Sequence, residues 1–287
     1  MNKEKSESYL SEVFSSIQGE GGSLKGSCFG KRQIFIRFSG CNLFNSLNDI
    51  SSCFWCDSSE AQQFKNPKVK FEEIPGTKRF KYLRNPLKNE QVITIIQNLV
   101  TKDLHSISFT GGEPLCQLDF ILNLLDDLRK NQISYPLYLE TNGTILPDQK
   151  QLNSLAKYFR FCCCDIKDRS SKVAPKNKWN DLVQTELEFI KKFVHLRINT
   201  FVKIVVTSQT KIDDIIWISK ELSGINYPNG EGVGLAIQPV YLSNESLRKK
   251  FSITIDHLNQ IFYTVANYLS PENISLSIQA HKYLDLL

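Results

Sequence analysis

The chain has 287 residues, 41% of them hydrophobic and 23% charged, with a formal net charge of +5. That is enough apolar material for one large core or two small ones, and it excludes a dominantly disordered polypeptide. No run of about 18 apolar residues occurs, the start Met1-Asn2-Lys3-Glu4-Lys5-Ser6-Glu7 mixes both signs of charge, and no block of like charge stands out, so membrane insertion, secretion and nucleic-acid binding are not expected. The expected location is the cytoplasm.

Residues 1–9 are polar and expected to fray; patterning begins at Val13. Ile34, Ile36 and Phe38 alternate with Phe35 and Arg37, the period of a strand. Two stretches then break the rhythm, the Ser/Asn-rich loop 42–52 and the Lys-, Pro- and Gly-bearing segment 66–86, which read as insertions at one end of the fold. Val92, Ile95, Ile96, Leu99 and Val100 make one apolar helix face. A strand at 106–110 follows, closed by Gly111-Gly112, and the order repeats with helices near 118–128, 151–158, 182–194 and 212–222. Between them lie strands at 137–140, 161–165, 201–206 and 234–237; a long helix from Asn244 to about Tyr268 and a strand at 274–278 end the series. Such alternation predicts βαβ units around a parallel sheet, closed as a complete or partial barrel in a single domain over 1–287. In such barrels the loops after the strands build the site.

Eight cysteines in a reducing compartment are ligands, nucleophiles or small apolar filler rather than disulfides. Cys41, Cys53 and Cys56 follow the first clear strand, and the two residues between Cys53 and Cys56 let both sulfurs reach one site. A structural zinc ion wants a fourth thiolate or imidazole, and the nearest candidates, Cys28 and His105, stand at no finger-like spacing. Three thiolates suit instead a [4Fe–4S] cluster with one iron open, zinc being the alternative. Cys162-Cys163-Cys164 lie on a strand where neighbours point to opposite faces, so they read as buried filler, like Cys28 and Cys116. Gly26–Lys31 is too short for a P-loop and lacks its Ser/Thr. Arg37 shares a face with Phe35; if that face lines the barrel, the guanidinium needs an anion, either a substrate carboxylate or an acid such as Glu140 or Asp165. The turn Thr110-Gly111-Gly112-Glu113-Pro114 exposes main-chain groups that a small charged molecule can approach.

The cluster cysteines with an aromatic before the last one, Trp55, together with Gly111–Pro114, resemble the radical S-adenosylmethionine superfamily, although eleven residues stand in the first gap where three are usual. The stretches Phe14–Gly21, Phe35–Leu43 and Trp55-Cys56-Asp57 are similar to the 7-carboxy-7-deazaguanine synthase family, and the likeness continues at Glu140–Gly143, Lys203–Val206, Ile237–Pro239 and Ser277–Leu284. The resemblance implies a partial (β/α)6-type TIM barrel with an enlarged cluster loop. It implies conversion of 6-carboxy-5,6,7,8-tetrahydropterin to 7-carboxy-7-deazaguanine with release of ammonia, using a [4Fe–4S] cluster, S-adenosylmethionine and Mg2+. It assigns Cys41, Cys53 and Cys56 to iron, and Ser58, where the family has Thr, to Mg2+. Trp55, Gly111, Gly112, Glu113, Glu140, Asp165, Lys167, Gln238 and Pro239 would hold S-adenosylmethionine, Glu113 as counter-ion to its ammonium. Ile17, Gln18, Gly19, Glu20, Arg37, Thr110, His281 and the terminal carboxylate of Leu287 would hold the pterin. Asp165-Ile166 depart from the family's usual Ser-Pro before Lys167. The tail, with Tyr283, Leu284, Leu286 and Leu287, is expected to dock over the barrel mouth, His281 following Gln279 on one strand face. A flavodoxin or ferredoxin as electron donor and a homodimer are implied as partners. The rivals are another radical enzyme, such as a glycyl-radical activase, and a non-enzymatic zinc protein.

Overall fold

Side-chain alternation along the strands organises the molecule. The computed structural model describes residues 7–44, 53–284 and 286. Most of the expected 42–52 insertion, and Leu287, therefore lie outside the described residues. The strands are β1 (Glu7–Ser8), β2 (Leu10–Ile17), β3 (Arg32–Phe38), β4 (Lys68–Glu72), β5 (Phe80–Arg84), β6 (Leu87–Lys88), β7 (Leu104–Gly111), β8 (Leu137–Thr141), β9 (Phe159–Ile166), β10 (Asn199–Val206), β11 (Gly234–Pro239) and β12 (Ile274–Leu276). The helices are α1 (Asn89–Leu99), α2 (Leu118–Lys130), α3 (Gln149–Tyr158), α4 (Trp179–His195), α5 (Ile212–Ser223), α6 (Glu245–Phe251), α7 (Ile255–Ala266) and α8 (Ala280–Tyr283).

Among the described residues ten strands form one sheet in the order β12-β11-β10-β9-β8-β7-β3-β2-β4-β5. Neighbours from β3 through β12 run parallel, and β2 pairs antiparallel with β3. Along each parallel strand one set of side chains joins the core under the helices and the other faces inward. Ile34, Ile36 and Phe38, then Cys162 and Cys164, then Val202, Ile204 and Val206 pack outward with Ile95, Leu124, Ile190 and Ile218 from the helices. Cys163, Tyr138, Phe201, Ala236 and Leu24 make a separate apolar cluster. Both faces are covered, which is why these strands read as nearly continuous apolar runs. Cys162, Cys163 and Cys164 are all buried, split between the two clusters as alternation requires.

The barrel is partial. Among the described residues no ladder joins β2 to β12, yet the segment after β2 meets β12 and the segment that follows it: Gly21 N–H donates to Ser277 Oγ (2.9 Å), Ser23 N–H to Ser275 Oγ (3.1 Å) and Ala280 N–H to the Gly19 carbonyl (3.0 Å). This seam of hydrogen bonds, with no sheet pairing across it, closes the circle.

Four sequence expectations change. Glu7–Ser8 are ordered as β1 against β6, because Tyr9 N–H donates to Gln117 Oε1 (3.0 Å) and Gln117 Nε2 returns a bond to the Tyr9 carbonyl (2.9 Å). Segment 66–86 is a hairpin rather than a loop: β4 adds to β2, and β5 to β4. The long helix is two, α6 and α7, because Ser252 turns extended and the Thr254 hydroxyl caps the His257 N–H (3.3 Å) to start a new helix. The final strand stops at Leu276, and His281 sits on the one-turn α8, not on a strand face.

Candidate active site

Inward side chains at the C-terminal ends of the strands surround a cavity of about 360 Å3. Arg37 comes from β3, Thr110 from β7, Glu140 from β8, Asp165 from β9, Lys203 from β10 and Gln238 from β11, while Ile17, Gln18, Gly19 and Glu20 enter from the end of β2. Cys41, Cys53, Trp55, Cys56 and Ser58 line the same cavity, with Gly111, Gly112, Lys167, His281 and Leu286. The sequence-predicted residues thus converge, with exceptions at Glu113 and Pro239, while Leu287 lies outside the described residues.

The cysteines sit on tight turns. Cys56 N–H donates to the Cys53 carbonyl (3.0 Å), and Cys41 is fixed by its N–H to the Gln62 carbonyl (3.1 Å). Burial pushes the Cys41 thiol up to about 11 and raises Cys53 as well, so metal loading must displace protons from both. Among the described residues the set of three candidate ligands drawn within 4.8 Å is Glu20, Asp57 and His281, not the three cysteines. Wider-set thiols around an open cavity fit a multi-iron cluster better than one tetrahedral ion. Asn142 Nδ2 donates to Cys41 Sγ (3.9 Å) and to Asn42 Oδ1 (3.0 Å), a hydrogen bond behind the ligand of the kind that tunes such sites.

Gly112 is required by contact. A Cβ there would stand 2.2 Å from the Gly40 carbonyl oxygen and 2.5 Å from that of Ala61. Its neighbour Gly111 has φ +131°, against the Phe38 backbone. The Gly-Gly turn therefore presses the end of β7 onto the cysteine loop.

A charged network fills the rest. Lys167 Nζ binds Asp165 Oδ2 (2.7 Å), and Lys203 Nζ reaches Asp165 Oδ1 (3.3 Å) and Glu20 Oε2 (2.5 Å). Enclosure opposes ionisation of Asp165, but the two ammonium groups outweigh it and hold its carboxyl below the usual range. Gln18 Nε2 donates to Glu140 Oε1 (2.8 Å) and Thr110 Oγ1 to Glu140 Oε2 (2.7 Å), while enclosure still raises Glu140. Gln279 Nε2 bridges Glu20 Oε1 and Asp57 Oδ2, both at 2.9 Å. Enclosure also works against ionised Asp57, and Arg37, Lys203, Lys282 and His281 overcome it. His281 is lowered by burial, against the opposing pull of Glu20 and Asp57.

Several readings are corrected here. Arg37 pairs with neither Glu140 nor Asp165: its Nε donates to Glu12 Oε2 (3.2 Å) from the register partner on β2, and its Nη1 to Ser58 Oγ (2.5 Å). Glu113 does not face the cavity. It is fully buried, and its carboxylate accepts from Leu115 N (3.0 Å), Asn142 N (2.8 Å) and Thr141 Oγ1 (2.8 Å), so it braces the turn to the end of β8 with its acceptor sites taken. Pro239 points away while Gln238 and Val240 line the wall. Of the tail, Leu286 reaches the cavity, whereas Tyr283 and Leu284 are exposed at 72% and 67%. Asp57, Lys203 and Gln279 were missed as site residues. Asp57 had a signal in standing beside Cys56, and Lys203 in being a lone lysine within the apolar run Phe201–Val206.

The sequence profile of the Radical SAM superfamily matches residues 35–220. Over 279 residues the chain is 36% identical to the 7-carboxy-7-deazaguanine synthase of Thermococcus kodakarensis, covering 97% of this chain and 98% of that one. It is 33% identical over 283 residues to the 7-carboxy-7-deazaguanine synthase of Methanocaldococcus jannaschii, covering 97% and 100%. Among solved structures, native anSMEcpe with bound AdoMet and Cp18Cys peptide matches with a TM-score of 0.51 at 17% identity, over 86% of this chain and 61% of that chain, a likeness of fold.

Proposed function

The chain belongs to the 7-carboxy-7-deazaguanine synthase family of the radical S-adenosylmethionine superfamily, and from that premise we propose how this cavity contracts 6-carboxy-5,6,7,8-tetrahydropterin to 7-carboxy-7-deazaguanine with loss of ammonia. The observation that carries the reading is the convergence of Cys41, Cys53 and Cys56 with Gln18, Glu20 and Arg37 on one cavity at the strand C-termini. A [4Fe–4S] cluster with S-adenosylmethionine bound supplies a 5′-deoxyadenosyl radical, chemistry that belongs to the cofactor.

The chain's residues supply position, dryness and charge. Glu20 and Gln18 accept from and donate to the amino and amide edge of the pterin, and Lys203 holds the Glu20 carboxylate in place for that task. Arg37 meets the substrate carboxylate, a role supported by its place on the cavity wall, where Glu12 is its ion-pair partner at 3.2 Å. Lys167, Asp165 and the main chain of Gly111–Gly112, all on the cavity wall, would hold S-adenosylmethionine. Phe14, Phe35, Leu43 and Trp55 exclude water from the apolar side. Ser58 serves Mg2+ together with the substrate; its hydroxyl, now accepting from Arg37 and donating to Asp57 Oδ1 (3.1 Å), would have to turn from the guanidinium to the ion. A small electron carrier such as flavodoxin or ferredoxin, a homodimer and a cytoplasmic setting complete the proposal; no described helix is long and apolar enough to cross a membrane.

Anaerobic turnover of iron-loaded protein with the carboxytetrahydropterin, S-adenosylmethionine and dithionite tests the reading. Formation of 5′-deoxyadenosine and the deazaguanine acid together is expected. S-adenosylmethionine cleavage without that acid would move the chain to another radical chemistry, and one tightly held zinc per chain without cleavage would end the enzyme reading.

A further inference from the structure

Resting on the function just proposed, we propose that the β4–β5 hairpin is the docking surface for a small acidic electron-carrier protein. The argument begins with where the positive charge lies. Residues 65–88 hold eight Lys or Arg and two Glu, a net +6, against +5 for all 287 residues, so the remaining chain sums to −1. Lys65, Lys68, Arg79, Arg84 and Lys88 are exposed.

The hairpin is also joined to the cysteine site by a short route. Asn66 Nδ2 donates to the Glu60 carbonyl (2.8 Å) and to Ser39 Oγ (3.1 Å), and Asn85 Nδ2 to the Asn66 carbonyl (2.9 Å). The turn it grips, Ser59–Gln62, accepts from Gly40 N–H (2.7 Å, at the Ala61 carbonyl) and from Cys41 N–H (3.1 Å, at the Gln62 carbonyl). Phe64, 48% exposed, lies over Gly40, where a Cβ would meet its ring at 2.4 Å. Beside it a polar recess of about 370 Å3, lined among others by Ser59, Gln63, Asn66, Lys68 and Tyr82, opens to the surface, with Tyr82 62% exposed. Two exposed aromatics beside basic side chains, one of them, Phe64, packed on Gly40 next to the proposed iron ligand Cys41, match what a steered, transient electron-transfer contact needs. The step itself changes no bond: an anionic flavin hydroquinone gives up one electron and leaves as the neutral semiquinone, and the cluster site takes that electron.

The test uses iron-loaded protein and an acidic flavodoxin as probe. Calorimetry with oxidised flavodoxin reads binding, at about 50 mM and about 300 mM salt, where screening differs strongly. The triple variant Lys65→Glu, Lys68→Glu, Arg84→Glu should bind about 30-fold more weakly at low salt and lose most of the salt dependence, with Lys65→Gln, Lys68→Gln, Arg84→Gln in between. The KM for hydroquinone flavodoxin in 5′-deoxyadenosine formation should rise in the same order, while dithionite-driven formation stays at the unsubstituted rate. Unchanged affinity in the Glu variant overturns the proposal, as does an equal fall of dithionite-driven and flavodoxin-driven rates in both variants. Tighter binding of a single-stranded RNA than of flavodoxin, or self-association that the variant abolishes, assigns the hairpin to another partner and overturns it too. A protein that binds flavodoxin as expected yet makes no deazaguanine acid would instead fault the proposed function.

Discussion

At the scale of single residues the site separates groups that hold ligands from groups that hold the site. Cys53 belongs to the first kind: Cys53→Ala should drop iron to background after anaerobic reconstitution, while Cys163→Ala, within the buried strand cluster, should retain it, and full iron loading of Cys53→Ala would remove the cluster assignment. Glu113 belongs to the second. Burial pushes its carboxyl up to about 7 from 4.5, against the opposing pull of the Asn142 and Leu115 N–H groups and the Thr141 hydroxyl. A folded-state pKa above the unfolded one means that the folded protein binds this proton more tightly. The associated stability is complete below about 4.5 and is lost as pH rises through 7, a swing of about 3 kcal/mol. Urea midpoints should therefore fall from pH 5 to pH 8. Glu113→Gln should flatten that fall while costing stability at pH 5, because its amide N–H2 would face the N–H or hydroxyl donors now bound there; an identical slope in both proteins would assign the titration to another group. Sequence alone could place these residues near the site but not sort them. An acid at a strand end looks the same whether it faces ligand or is consumed by main-chain donors.

At the scale of elements, what was legible followed from period and what was missed followed from composition. The alternation Ile34, Ile36, Phe38 and the helix face Val92–Leu99 are backed by burial, so β3 and α1 could be read directly. The β4–β5 hairpin could not, because its lysines and arginines dilute the alternation of Val69 and Phe71, although Val69 is fully buried. The α6–α7 break depends on a single cap at Thr254 inside an otherwise helical pattern. The short α8 owes its position to contacts rather than to propensity: Ala280 N–H is tied to Gly19, and Leu286 N–H donates to the His281 carbonyl (3.1 Å). A tag added after Leu287 should disturb this small element and raise the pterin KM several-fold, while an N-terminal tag should leave it unchanged. Equal KM values would make the tail a cover without substrate contact. His281→Ala should raise the same KM in an untagged protein.

At the scale of the whole molecule the seam between the two ends of the sheet is the least secured boundary of the cavity. Main-chain donors from Gly21, Ser23 and Ala280 join it, together with the side-chain bond from Gln279 Nε2 to Glu20 Oε1, each worth about 1 kcal/mol net. Opening the seam therefore costs less than opening a long ladder such as β3–β7 or β10–β11, and ligands that touch Glu20 on one side and His281 on the other should close it. Hydrogen exchange should show amides of 275–284 and 19–23 slowing on addition of S-adenosylmethionine with pterin, by more than those of β7 or β9. Equal protection of all these segments without ligand would mean that the seam is as firm as the sheet. The hairpin has a consequence on the same scale. A protein with an isoelectric point of about 8.7 that carries a net +6 on the twenty-four residues 65–88 has an uneven field. In dilute buffer, where the Debye length exceeds about 10 Å, any negatively charged body turns the molecule before touching it. Retention on a cation exchanger and the orientation of each encounter would then depend strongly on those twenty-four residues.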